Sequence, residues 1–221
     1  VATGSRTRQE RAEATRRAIL DGAATAFDAA GFGSTSLTDI AQHAGVTKGA
    51  MYFHFQSKEA LARELVAEQF ELLPGGAESE LRALQRAIDL THRMAHGLRS
   101  SARLRAGIRL VIERGSFSTP DPSPYNQWID SVRAMLANAQ GAGDLKSEVD
   151  VGDLSTYIVG AFTGVQITSQ VRTAREDLHE RVADLWTWLL PGVVPARRLA
   201  RFAPAGSEEL WAALEDGAAT G

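Results

Sequence analysis

The stretch Ser34–Lys58, STSLTDIAQHAGVTKGAMYFHFQSK, decides how this chain is read. Ser36 followed three residues later by Asp39 is a capping-box pattern that starts a short helix, with Leu37, Ile40 and Ala41 as its apolar contacts. Ala44 and Gly45 end that helix, and Val46 follows the turn. Thr47 then caps another helix, Lys48 to about His54, and Ser57 caps the next, which begins at Lys58. Two short helices separated by one glycine turn form a helix-turn-helix, in which the first helix braces and the second enters the major groove of duplex DNA.

The second helix carries the candidate DNA contacts. Gly49 and Ala50 keep its N-terminus slim, so its unsatisfied amides can approach a phosphate, and Thr47 and Lys48 add a hydroxyl and a cation there. Tyr52 and His54 offer phosphate hydrogen bonds from the later turn. Met51, Phe53 and Phe55 are expected to pack against the first and fourth helices. Taken singly, Thr47 is a cap in any helix, Lys48 a solvated lysine, Tyr52 a core aromatic and His54 an interhelical histidine. Their combination on one short helix favours DNA.

Upstream, Ile19, Ala23, Ala26 and Phe27 recur near a 3.6 period in a helix expected from Ala14 to Ala30, stopped by Gly31. Arg6, Arg8, Arg11, Arg16 and Arg17 outnumber Glu10 and Glu13 in a basic arm suited to phosphates. Downstream, Pro74, Gly75 and Gly76 break the fourth helix, and helices are expected over Glu80–Leu98 (core residues Leu81, Leu84, Ile88 and Met94) and Arg103–Glu113. A loop follows over Gly115–Pro124, where Pro120, Pro122 and Pro124 oppose a helix. Tyr125–Ala139, Val151–Val171, Glu176–Leu190 and Glu208–Leu214 complete an all-α chain. Residues 1–57 form a three-helix DNA-binding module with its basic arm, and residues 58–221 a helical ligand-binding and dimerisation domain.

Among 221 residues, 44% are hydrophobic, enough for a substantial core, and the net charge of −3 excludes a generally polybasic binder. Zero cysteines exclude disulfides, thiolate metal sites and cysteine nucleophiles. No GxGxxG after a strand, GxxxxGK[ST] or HExxH is present, so no enzyme, cofactor or metal site is expected. His92 and His96 lie four apart on one helix, but with no evident third ligand they read as a solvent-facing pair. The absence of a secretory h-region or a long apolar run predicts a cytoplasmic protein without membrane attachment.

Ser34–Lys58, preceded by RRAILDGAATAFDAAGF, resembles the TetR family of bacterial repressors, whose signature is TTxxDIAxxAGVxxGxxYxHFxxKexL. The departures are Ser36, where threonine is usual, and Phe53. VTKGAMYFHFQSKEALA, RLRAGIRLVIE, YNQWIDSV and IVGAFTGVQITSQ are similar to the γ-butyrolactone receptor branch of actinomycetes. The resemblance implies a homodimer joined through its last two long helices, bound to a double-stranded operator with an approximate inverted repeat and released by a small lactone. It implies ligand contacts at Trp128, Gln69 and Thr163. From the residues alone these also fit a core aromatic, a solvated amide and a hydroxyl bonded within its own helix. An antibiotic, butenolide, furan or biosynthetic intermediate is the alternative signal, and a ligand-free interaction module the alternative class. Trp186 and Trp188, two residues apart, cannot share a helix face, so one is expected in the core and the other toward a partner or neighbouring helix.

Overall fold

The computed structural model describes residues 2–72, 82–114 and 122–219, and every regular element among them is helical. The helices are α1 (Ala2–Ser34), α2 (Leu37–His43), α3 (Lys48–His54), α4 (Lys58–Glu68), α5 (Ala83–Ser100), α6 (Ala102–Arg114), α7 (Ser123–Gly141), α8 (Val151–Thr173), α9 (Leu178–Val193) and α10 (Glu208–Ala219), with 3-10 turns at Gln69–Leu72 and Ala196–Arg201. None among the described residues is long and apolar enough to cross a membrane. The Pro74–Gly75–Gly76 break, the expected Glu80 start, Leu81, the loop to Asp121 and the Arg6 side chain lie outside what is described.

The helices pack as two compact units, α1–α4 with α6, and α5 with α7–α10. The first unit is thus broader than residues 1–57, because α4 and α6 complete its core. Ile19, Phe27, Ile40, Met51, Leu61 and Leu65 are fully buried there. On α6, Arg103 reaches Asp21 Oδ1 (2.7 Å), Glu68 Oε1 (2.9 Å) and the Arg17 carbonyl (3.1 Å). Arg105 pairs with Asp28 (2.7 Å), and Arg109 donates to the Asp28 carbonyl (2.6 Å). Glu113 accepts from Arg109 and from the Phe32 amide. The polar face of RLRAGIRLVIE therefore clasps α1.

Several boundaries differ from expectation, the start of α1 most of all, and α9 and α10 run on to Val193 and Ala219 rather than Leu190 and Leu214. α1 begins at Ala2 rather than Ala14: the helical ladder continues through the basic arm, whose stretch Arg8–Glu13 is made of good helix formers, with Gln9 bonded to Glu13 and Thr15 to the Arg11 carbonyl. α7 begins at Ser123 with Pro124 in its first turn, where a missing N–H costs nothing. Gly31, at φ 77°, ends the regular part of α1 as anticipated.

In the second unit Trp186 is fully buried and its indole N–H donates to Thr91 Oγ1 (2.9 Å), whereas Trp188 is 83% exposed. The C-terminal segment is sewn to α5. Gln85 exchanges two hydrogen bonds with the Ala203 backbone, and the Asp89 carboxylate accepts from the Ser207 amide (3.0 Å) and hydroxyl (2.7 Å). The histidine pair is corrected here: His92 is 1% exposed and meets His179, brought from α9, at 3.3 Å between Nδ1 atoms. His92 Nε2 lies 2.9 Å from the Pro204 carbonyl. A carbonyl only accepts, so Nε2 carries the His92 proton and its Nδ1 accepts from His179 Nδ1–H. Trp211 of α10 stands edge-on to both rings.

The relay requires a neutral His92, whose Nδ1 could not accept once protonated, and burial disfavours a charge on either ring. Burial lowers the His92 pKa, with opposing contributions from the Pro204 contact and Asp89. Burial, then the positive charges that His92, Arg99 and His96 would present, push His179 from 6.5 to about 4. Because the folded pKa values lie below the unfolded ones, the folded state binds fewer protons between them. The stabilisation is complete above pH 6.5 and is lost as pH falls toward about 4. Denaturation midpoints of the wild type should fall across that window, and His179→Gln should flatten the fall. Parallel profiles for the two proteins would contradict the relay.

Candidate nucleic-acid interface

The first unit presents α3 as the second helix of a tightly built helix-turn-helix. Ser36 Oγ accepts from the Asp39 amide (3.2 Å) while the Asp39 carboxylate accepts from the Ser36 hydroxyl (2.7 Å) and amide (2.8 Å), and these two donors, the hydroxyl first, hold the Asp39 pKa below the usual carboxylate value. After α2, the Val46 amide bonds to the Ala41 carbonyl (3.1 Å) and the Gly45 amide to the Gln42 carbonyl (3.2 Å), the Schellman pattern of helix ends. Gly45 sits at φ +64°, where an L side chain is strained. Thr47 Oγ1 accepts from the Ala50 amide (3.2 Å), so the expected cap of α3 is made.

The orientation of α3 follows from one pair of residues. Met51 and Phe55, four apart and therefore on one face, are 0% and 4% exposed. Thr47, Lys48 and Gly49 lie open at the helix start, Tyr52 is 52% exposed and His54 half-buried. All five expected DNA contacts belong to this one short segment. Phe53 does not pack inward as expected. It is 80% exposed, because a residue two positions from both Met51 and Phe55 must face away from the core they enter.

Supporting residues tie this surface down. The Lys58 ammonium donates to the carbonyls of Phe32 (2.7 Å) and Thr35 (2.8 Å) and lies 4.2 Å from the Phe32 ring centroid, joining the start of α4 to the α1–α2 corner. Gly22 of α1 runs against the turn after α2: a Cβ there would lie 2.6 Å from the Ala44 nitrogen. In the basic arm, Arg8, Arg11 and Arg17 are exposed. Arg16, also exposed, pairs with Glu64 and stacks over Phe55, its guanidinium carbon 5.1 Å from the centroid.

The residues expected at a ligand are divided between the units. Gln69 belongs to the first, 2% exposed, with its amide nitrogen donating to the Val66 carbonyl (2.8 Å). Trp128 on α7 and Thr163 on α8 belong to the second, both half-buried. The Thr163 hydroxyl donates to the Val159 carbonyl (2.8 Å), leaving its oxygen able to accept. No group of three metal-capable side chains occurs among the described residues. On the outer face of the second unit, a groove between α8 and α9 is lined by Tyr157, Val165, Asp177, Arg181 and Trp188 among others.

Comparison with known proteins gives consistent matches. Residues 19–65 match the family described as bacterial regulatory proteins, tetR family, and residues 78–195 match the tetracyclin repressor-like C-terminal domain. The A-factor receptor protein of Streptomyces griseus is 37% identical over 203 residues, covering 92% of this chain and 72% of that protein. A solved gamma-butyrolactone receptor, described as ArpA-like, superimposes with a TM-score of 0.74 at 34% identity, covering 94% of this chain and 99% of the other. CprB from Streptomyces coelicolor, solved with its biological operator sequence, gives a TM-score of 0.71 at 34% identity over 94% and 99% of the two chains.

The contact at Gly22 yields a stability test of this surface. Alanine is favoured over glycine inside a helix by about 1 kcal/mol. Overpacking against the Ala44 backbone costs about 1–3 kcal/mol. Gly22→Ala should therefore lower the urea midpoint, and a raised midpoint would show that the α1-to-turn contact is not close.

Proposed function

The chain belongs to the TetR family of bacterial regulatory proteins, and from that premise we propose a ligand-responsive DNA-binding repressor that a γ-butyrolactone-type molecule releases from its operator. The observation that carries this reading is the exposed face of Thr47, Lys48, Gly49 and Tyr52, anchored from behind by Met51 and Phe55 in a chain related to lactone receptors along nearly its whole length. Residues 1–57 do the reading, and residues 58–221 bind the effector and the second subunit. The protein works in the cytoplasm on double-stranded DNA with an approximate inverted repeat. Binding and release need no covalent step.

At the operator, Thr47, Lys48, Tyr52 and His54 contact phosphates, and Gly49 lets the helix backbone come close. Two-fold pairing supplies the second reading helix, and inverted half-sites mirror that symmetry. The exposed apolar residues of α8 and α9 support such pairing: Trp188 (83% exposed) and Tyr157 (60%) line the groove, and Val171 of α8 is 81% exposed. Within the second unit, Trp128 offers an apolar wall to an acyl tail and Thr163 an acceptor to a hydroxyl. A polar contact to the effector is also proposed for Gln69.

Three measurements test this reading. An operator selected from random duplexes should be released by γ-butyrolactones, with affinity rising as the tail lengthens, by about 0.8 kcal/mol per buried methylene. Release by a butenolide, furan or antibiotic but by no lactone would keep the repressor and overturn its ligand. Lys48→Ala should weaken operator binding and reduce the salt slope by about one, and Tyr52→Phe should weaken it as well. Unchanged affinity in both removes these side chains from the interface. Trp188→Arg should shift sedimentation toward monomer at concentrations where the wild type is dimeric, and an unaltered dimer would place the interface elsewhere.

A further inference from the structure

Phe53 is the most exposed large apolar side chain described in the first unit. With Met51 marking the inward direction, Gly49 and Phe53 lie about 160° and 200° around α3, so together they form the stripe farthest from the core. Gly49 is one turn closer to the N-terminus and has no side chain, leaving the phenyl ring unshielded on that side. The His54 ring meets it edge-on at 5.1 Å between centroids and 88° between planes, which gives the phenyl a lateral support. The polar groups proposed for phosphates, Thr47, Lys48, Tyr52 and His54, flank this stripe rather than occupy it.

A phenyl ring can neither donate nor accept a conventional hydrogen bond, so it recognises apolar surface. In the major groove the apolar group on a base edge is the C5-methyl of thymine. We propose that Phe53 reads thymine methyl groups, making it a specificity residue of the operator half-site rather than a phosphate contact. The inference rests on the DNA-binding reading above and adds a base preference to it.

The test uses the full-length protein and the operator duplex that it selects from a random pool. Each thymine of a half-site is replaced in turn by deoxyuridine, which removes only the methyl group. At one or two positions the wild type should bind about fourfold more weakly, the effect of one methyl group leaving water. At those positions Phe53→Ala should bind thymine and uracil duplexes alike, and Phe53→Leu should retain part of the preference. The salt slope of Phe53→Ala should equal that of the wild type. Its thermal unfolding should also be unchanged, since the ring lies outside the core. The inference is overturned if the wild type distinguishes thymine from uracil nowhere, or if Phe53→Ala keeps the distinction. Equal weakening on thymine and uracil duplexes would also overturn it, placing the ring against the sugar-phosphate backbone. If the wild type enriches no duplex at all, the DNA-binding reading fails first and takes this inference with it.

Discussion

Met51 and Phe55 entering one apolar core is the constraint on which the reading surface depends. A helix of only seven residues has little stability of its own, so its face is set by what it buries. Once these two side chains are held among Ile19, Phe27, Ile40 and Leu61, the positions of Lys48, Gly49, Tyr52 and Phe53 follow from helix geometry. The Schellman turn at Gly45 and the Thr47 cap fix where the helix starts, and Lys58 pins the element that follows it. Thr47 apart, the residues proposed to face DNA carry little of this structural work, which leaves them free to be chosen for recognition.

The clasp between α1 and α6 extends the same logic. Arg103, Arg105 and Arg109 tie α6 to Asp21, Asp28 and backbone carbonyls of α1, so α6 shares a body with the reading head even though more than thirty residues separate it from α4 in sequence. A displacement of α6 is thereby a displacement of α1 and of the surface that α1 supports. Such coupling changes operator affinity only if the effector binds one arrangement of the protein better than another.

Much of this was legible in the sequence because it is local. The capping box at Ser36 and Asp39, the turn at Gly45, the Thr47 cap and the apolar period of Ile19, Ala23, Ala26 and Phe27 each lie within a few residues, and each forms as read. Phe53 was misread by its chemistry: an aromatic between Met51 and Phe55 looks like core, although the 3.6 period already places it opposite them. His179 was invisible as a partner of His92 because the contact spans 87 residues and depends on how α9 lies on α5. The divergence of Trp186 and Trp188 was readable from their spacing, but which one enters the core required the Thr91 hydroxyl that receives the buried indole N–H. The ligand contacts at Gln69, Trp128 and Thr163 came from resemblance, since no local pattern specifies a small-molecule site.

The central claim is a free-energy coupling between effector and operator. It is tested most directly by calorimetric titration of a γ-butyrolactone into the protein alone and into the protein saturated with operator. The account predicts that operator weakens lactone binding by the same factor by which lactone weakens operator binding, as linkage requires. Measurable lactone affinity that is identical with and without operator would contradict it, because such a ligand would leave the DNA equilibrium where it was.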